Sequence, residues 1–468
     1  MACATIVAGS AAEAATGSPK PAGQNTNLQV TTPQAVPDSY IVVFKDTVTY
    51  PKAAAKDMAL RHGLSLDHVY AHALKGFAAT IPVRALERVR DDPRVEFISP
   101  NLVLQAVGTV PIVPRDSAPT GVRRVAAATA TTAHQGSTVA VAVIDTGVDL
   151  THPDLNAVNG KDCTSKRKYS LAQDDNGHGS HVAGTIGARN NGSGIVGVAP
   201  DTLIYAVKVL NSTGGGTWAQ AICGIDWVTQ YASSLNIKVA NMSLGGFGSL
   251  NDNNCGNTNG DAMHKAICNS TAAGVTYVVS AGNSSVDFGN DSGSSYLPAA
   301  YPEVLTVTAM ADSDGAPGGT GGDTICDIAN ADDRYSDFSN FAVATTEINH
   351  TIAGPGVCIT STVPTGNCAY CDSSGYKTIS GTSMAAPHLT GSVALCIGNG
   401  ATPGACAGLT PSQIVEKLRG DAATYSNANS GYGFNGDPNH CSTFSGHGKT
   451  VQCSQTAYYG YLAWDGAY

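Results

Sequence analysis

From about residue 120 to residue 420, short apolar runs rich in β-branched residues alternate with longer stretches of helical composition. The runs are Thr138–Ile144, Ile204–Val209, Val239–Met242, Val275–Val279 and Val304–Thr308. Each is nearly continuous rather than alternating, the signature of strands buried on both faces. Gly179–Ala188, Thr217–Ser233, Asp261–Ala273 and Ser383–Ile397 read as the helices between or after them. This order predicts an α/β fold, a mainly parallel sheet with helices on both faces. In such sheets reactive groups gather at the carboxyl ends of the strands.

The pattern changes toward both ends. Residues 1–37 are rich in Ala, Gly, Ser, Thr and Pro without a sustained period, and read as leader and flexible linker. Residues 2–16 have the small side chains of a signal-peptide tail but no positive n-region, so a partial signal is expected. Residues 38–107 form a more charged module. Its strands are Ser39–Phe44, Phe77–Ile81 and Val95–Ile98, and its helices Tyr50–His62 and Arg84–Asp91. The Pro-interrupted stretch Leu104–Pro119 separates it from a main domain, 108–468. From about 421 onward the chain is a Gly-, Asn- and Tyr-rich extension with two cysteines, in which Tyr458–Leu462 reads as a closing strand.

Composition narrows the function classes. Charged residues are only 13% and the formal net charge is −10, which argues against a nucleic-acid partner. No apolar run reaches the roughly 18 residues that a membrane span needs. Of 13 cysteines, Cys3 lies in the leader and the other twelve all follow residue 160. An even set in one region points to disulfides and an oxidising compartment. Zinc is the alternative suggested by Cys368-Ala-Tyr-Cys371, but no second such pair accompanies it. Cys396/Cys406 and Cys441/Cys453 are near enough in sequence for local bridges.

Four stretches carry chemistry. Ser383 lies in Ser380-Gly-Thr-Ser-Met-Ala-Ala-Pro-His388, where small residues precede a run of helix formers. A helix starting there aims free N–H groups at the serine oxygen; helix capping is the plainer role for such a serine. Asp145 ends the apolar run Ala142-Val-Ile-Asp145-Thr-Gly147, as a carboxylate facing the site or a simple turn residue. His178 sits between Gly177 and Gly179 at a helix entrance, with room for a general base. His181 follows at i+3, a spacing that also suits a metal pair, but no third ligand is evident, so a structural role is expected. Asn283 closes Tyr277-Val-Val-Ser-Ala-Gly-Asn283, as a turn former or as an amide donor to an oxyanion.

Together these motifs closely resemble the subtilisin-like serine peptidases, and nearer still their proteinase K-like branch. The Asp–His–Ser order and the Asn oxyanion donor are known features of subtilisins. The resemblance implies a triad of Asp145, His178 and Ser383, with Asn283 as oxyanion donor. It implies that Ser243-Leu244-Gly245-Gly246 pairs with an extended peptide. That segment and Ala281-Gly282 wall the pocket for the residue before the scissile bond, and Tyr296 forms its floor. The uncharged lining implies apolar or aromatic specificity. Residues 38–107 resemble the family's inhibitory propeptide, which implies a secreted zymogen cut by itself near Val107. Structural calcium is implied at Arg189–Ile195, with Asp154 and Asn191 as ligands. The insertion 312–333, with Asp312-Ser-Asp314, reads as a solvated polar loop or a second cation site. The implied partners are peptide or protein substrates and the chain's own propeptide, for a monomer that needs no cofactor for its chemistry.

Overall fold

The computed structural model describes residues 35–468 apart from 46, 72–74, 103–109, 112–114, 166, 168, 325, 401, 441–442, 447–448 and 453–456. The leader up to residue 34, the expected cut near Val107 and the Cys441/Cys453 pair lie outside the described residues. The chain divides into two compact units, residues 1–106 and 107–468.

The first unit runs β1 (Ala35–Phe44), α1 (Pro51–His62), β2 (Ser65–Tyr70), β3 (Gly76–Thr80), α2 (Val83–Arg90) and β4 (Val95–Leu102). Its strands form an antiparallel sheet in the order β2-β3-β1-β4. Val42, Phe44, Met58, Phe77 and Val89 make a small core between sheet and helices. Strand β2 was not legible in the sequence, because Ser65-Leu-Asp-His-Val-Tyr70 mixes charge with apolar positions.

The second unit is built on β5 (Ala140–Asp145), β6 (Ala157–Asp162), α3 (His178–Gly187), β7 (Ile204–Lys208), α4 (Trp218–Tyr231), β8 (Ile237–Met242), α5 (Ala262–Ala272), β9 (Thr276–Ser280), β10 (Leu305–Ala311), β11 (Thr351–Pro355), α6 (Thr382–Ile397) and α7 (Pro411–Ala428). The strand order is β6-β7-β5-β8-β9-β10, with β11 also on β10, and every one of these pairings is parallel. One two-residue strand, Arg334–Tyr335, adds an antiparallel pairing to β10. The five apolar runs read from the sequence are the central strands. Two outer strands, β6 and β11, were missed because Ala157-Val-Asn-Gly-Lys-Asp162 is half polar and Thr351-Ile-Ala-Gly-Pro355 ends in Gly-Pro, a turn signal.

Side-chain alternation along β5 explains the layers. Val141 and Val143 join the core with α3 and α6, through Val182, Ile186, Leu389 and Val393. Ala142 and Ile144 face the other way, toward Ile225 and Val228 of α4 and Ile267 of α5. Because both faces of the strand are covered, its sequence reads as unbroken apolar residues. The strand order also reverses at β5, with β7 on one side and β8 on the other. That is the topological switch point, where a crevice opens at the carboxyl ends. Asp145 is the last residue of β5.

Candidate active site

Three chain segments meet at this crevice. β5 delivers Asp145, fully buried. The first residue of α3 is His178, and a close approach puts the two together. A methyl on Gly179 would lie 2.0 Å from the Gly147 carbonyl oxygen and 3.1 Å from Asp145 Cβ, so glycine is required where α3 abuts the strand exit. The loop before α3 is held by buried Asp174. Its Oδ1 accepts from the Thr146 hydroxyl and from the Asn176 and Gly177 amides, and its Oδ2 from the Ser180 amide and hydroxyl. Lys208, also buried, donates to the Thr146 and Leu210 carbonyls and to Asp175.

The result is a hydrogen bond of 2.8 Å between His178 Nδ1 and Asp145 Oδ1. An ionised carboxylate only accepts, so Nδ1 carries the proton and Nε2 keeps its lone pair. The His178 side chain is 17% exposed. Burial works against its charged form, but the charge and hydrogen bond of Asp145 outweigh that and raise its pKa above the ordinary value. His181 is the opposite case. Fully buried, it lies 3.0 Å from the carbonyl oxygens of Ile359 and Lys377 through Nε2, and burial pushes its pKa down to about 3. It is a neutral strut whose Nε2 meets two carbonyls, whereas His178 Nδ1 meets Asp145.

Ser383 is the second residue of α6, so its N–H is among those with no acceptor inside the helix. Its hydroxyl lies 3.2 Å from the Ser243 carbonyl, and the Ser243 hydroxyl donates to the Ser383 carbonyl at 2.8 Å. Asn283 follows β9. Its Oδ1 accepts from both the Thr382 amide and the Thr382 hydroxyl, each at 2.9 Å, which fixes the amide so that Nδ2 faces away. Thr382 in turn accepts from the Gly282 amide. Gly381 has φ 155°, and a methyl there would stand 3.4 Å from Asn283 Nδ2 and 3.7 Å from the Ser383 nitrogen. Both nitrogens therefore border one point beside Gly381, whose φ favours glycine.

The substrate-binding residues are also brought together. Ser243, Leu244 and Gly245 belong to no strand, and Gly246–Gly248 pairs antiparallel with Ser295–Leu297. The Tyr296 ring lies between the two walls. A methyl on Gly245 would meet it at 2.6 Å, and one on Gly282 at 2.7 Å. Ala281 and Gly282 are held by Asn340, whose side chain donates to the Ala281 carbonyl and accepts from the Ser284 and Val286 amides.

Among the described residues, five disulfides join Cys163–Cys223, Cys255–Cys268, Cys326–Cys358, Cys368–Cys371 and Cys396–Cys406. The last is one of the two local bridges read from the sequence, and the first three have no sequence signal. The Cys368-x-x-Cys371 pair is a bridge rather than half of a zinc site.

The subtilase family model matches residues 136–448, two thirds of the chain, and the peptidase inhibitor I9 model matches residues 39–106. The chain belongs to the subtilase family. Like its relatives, this subtilase is a serine endopeptidase with an inhibitor-type propeptide. Subtilisin E of Bacillus subtilis (strain 168) is 32% identical over 403 residues, covering 86% of this chain and 89% of that protein. An extracellular serine proteinase of Thermus sp. (strain Rt41A) is 32% identical over 417 residues, covering 84% of this chain and 86% of that one. The solved structure of the S41 psychrophilic protease superposes with a TM-score of 0.54 at 26% identity, covering 75% of this chain and 99% of that one.

Two acidic regions of the subtilase carry contacts that the sequence reading did not name. In the insertion 312–333 three carboxylates are buried, Asp312, Asp332 and Asp333, whereas Asp323 is exposed. Arg124, also buried, donates to Asp333 at 2.7 Å and lies 3.9 Å from Asp312, so a protein cation stands beside them. Nothing in the sequence joins position 124 to the insertion. At the calcium-type loop, Asn191 Nδ2 donates to Asp154 Oδ1, and the Tyr376 hydroxyl and the Ile195 amide donate to Oδ2. Asp116, which the sequence did not single out, reaches the same loop and accepts from the Gly192 amide at 2.6 Å. Burial, with Asp116 nearby, raises Asp154 to about 6.

Proposed function

We propose that this subtilase hydrolyses peptide bonds through Asp145, His178 and Ser383, with Asn283 and the Ser383 N–H as oxyanion donors. The observation that carries this is the 2.8 Å Asp145–His178 bond, together with two N–H groups that border one point beside Gly381. His178 Nε2 takes the Ser383 hydroxyl proton as the oxygen attacks the scissile carbonyl, and the imidazolium is stabilised by Asp145. The carbonyl oxygen, now negative, accepts from Asn283 Nδ2 and the Ser383 amide. His178 then returns its proton to the leaving nitrogen, and the acyl-serine is hydrolysed by water through the same groups. The unpaired Ser243–Gly245 segment supports binding of an extended peptide by strand addition. The Tyr296 ring between uncharged walls supports preference for an apolar or aromatic residue before the scissile bond.

The chain is made as a zymogen in this reading: residues 38–107 inhibit the enzyme until self-cleavage near Val107. Five disulfides support an extracellular setting. No helix among the described residues is long and apolar enough to cross a membrane. The donor set at the 189–195 loop fits a hard cation. Asp116 Oδ1 is buried without a partner, and Asp154 is a second carboxylate whose burial a cation would offset. Calcium held by Asp154 and Asp116, and by Asn191 once its amide turns its oxygen inward, would tie the Asp116–Ser117 strand to Gly194–Ile195; it plays no part in the chemistry.

Mass spectrometry of purified wild-type and Ser383→Ala precursors, alone and then with casein, tests the function. Wild type alone should trim to a fragment starting near residue 108 and digest casein after apolar residues. Identical behaviour of the two proteins would make this a peptide-binding protein with an idle triad. Ester cleavage without casein digestion would point to a non-peptidase acyl hydrolase.

A further inference from the structure

One element touching the catalytic histidine has no part in the mechanism above. The loop closed by the Cys368–Cys371 disulfide lies on the turn Asn176-Gly177-His178. The Tyr370 amide donates to the Asn176 carbonyl at 2.8 Å, and Cys368 Sγ is 3.0 Å from the same oxygen. Contact is close enough that a methyl on Gly177 would stand 2.9 Å from Tyr370 Cβ. The Tyr370 ring is half-buried, with its centroid 6.1 Å from that of His178 and the planes at 57°. On the outer side, Lys377 Nζ is 5.9 Å from the centre of the same ring. The Lys377 carbonyl is itself fixed by His181 of α3, so ring and ammonium are both referenced to the helix that carries His178.

The position of this loop relative to the reacting groups is informative. Ser243–Gly246, Ala281–Gly282 and Tyr296 take the residue before the scissile bond, on the Ser243 side of Ser383. His178 hands its proton to the leaving nitrogen, so the first residue of the departing peptide emerges beside the imidazole. Tyr370 is the aromatic surface waiting there. We propose that the Cys368–Cys371 loop forms a leaving-side subsite, in which the Tyr370 ring packs the side chain of the residue immediately after the scissile bond. Its preferred occupant is aromatic or long and apolar, and Lys377 disfavours a basic one. The disulfide holds the four-residue loop in its bound shape, which limits the ordering cost of binding. This inference rests on the triad assignment proposed above.

The test compares kcat/KM for peptides that share one sequence up to the scissile bond and carry Phe, Ala or Arg after it. Wild type is expected to favour Phe over Ala by about tenfold, the scale of one good aromatic contact. Tyr370→Ala should bring that ratio close to one, and Tyr370→Phe should keep it. The double variant Cys368→Ser/Cys371→Ser should fall between them, and Lys377→Ala should relieve the penalty on Arg. A merely structural role for Tyr370 would lower all three substrates by one common factor, and an unchanged Phe/Ala ratio in Tyr370→Ala overturns the subsite. If Tyr370→Ala does not fold, the same ratio is read on wild type from capture of the acyl-enzyme by phenylalaninamide against alaninamide, where equal capture overturns it. Wild type that cleaves none of the peptides in a Ser383-dependent way would overturn the triad reading and this one together.

Discussion

The two ends of the first turn of α3 hold the same side chain in opposite states. His178 faces the crevice, partly exposed, with a carboxylate at 2.8 Å that raises its pKa. His181 faces inward, meets two carbonyl oxygens and no carboxylate, and is pushed down to about 3. Burial opposes protonation in both. Whether a negative charge lies opposite decides which histidine can exchange protons near neutrality. Proton transfer here is a property of what β5 brings to the helix, not of histidine as such.

The largest expected effect removes that charge. Asp145→Asn should lower kcat by about 10⁴-fold, the loss known for this substitution in triad peptidases. In wild type the acid limb of kcat/KM should lie above pH 6.5, because a raised His178 pKa leaves the base protonated as pH falls through it. In the residual activity of Asp145→Asn that limb should move to lower pH. A limb that stays put would mean Asp145 is not what raises His178. Asn283→Leu comes next, at about 100- to 1,000-fold in turnover, as removal of the corresponding donor costs a subtilisin. Its acid limb should match wild type, which separates oxyanion stabilisation from proton transfer.

A smaller effect leaves both histidines alone. If the 189–195 loop binds calcium, a hundredfold excess over Kd stabilises the folded unit by about 2.7 kcal/mol. Chelator should then lower the melting temperature of Ser383→Ala protein, and Asp116→Ala should abolish the difference. The smallest effect belongs to His181. With a folded pKa near 3 against about 6.5 unfolded, the unfolded chain gains a proton that the native state refuses as pH falls below 6.5. Wild type should therefore lose about 1.5 kcal/mol between pH 6.5 and 5 that His181→Gln does not lose. Urea melts of both in the Ser383→Ala background measure it, and parallel pH profiles would refute the neutral strut.

The central strands and the triad candidates were legible because doubly buried strands leave continuous apolar runs, and small residues cluster where backbones must touch. Asp145 and Asn283 end such runs, His178 stands between two glycines at a helix start, and Ser383 stands among small residues at another. What holds those groups was less legible. Thr382 lies inside the serine motif, yet its grip on Asn283 depends on a fold that brings β9 to α6. Asp174, Asn340 and Arg124 satisfy partners that are distant in sequence, and composition alone carries no trace of such pairings. The insertion 312–333 was left between a solvated loop and a cation site for the same reason: Asp residues among glycines show neither their burial nor the arginine beside them.

The disulfides have a consequence for the life of the molecule in solution. All five join residues of the second unit, and among the described residues none braces the first, whose core is one small cluster. A protease is surrounded by copies of itself, so whatever opens is eaten. Cross-links should make the second unit open less often than the first, which makes time itself a filter. If residues 38–107 inhibit as proposed, an ageing sample should lose that unit first and gain activity.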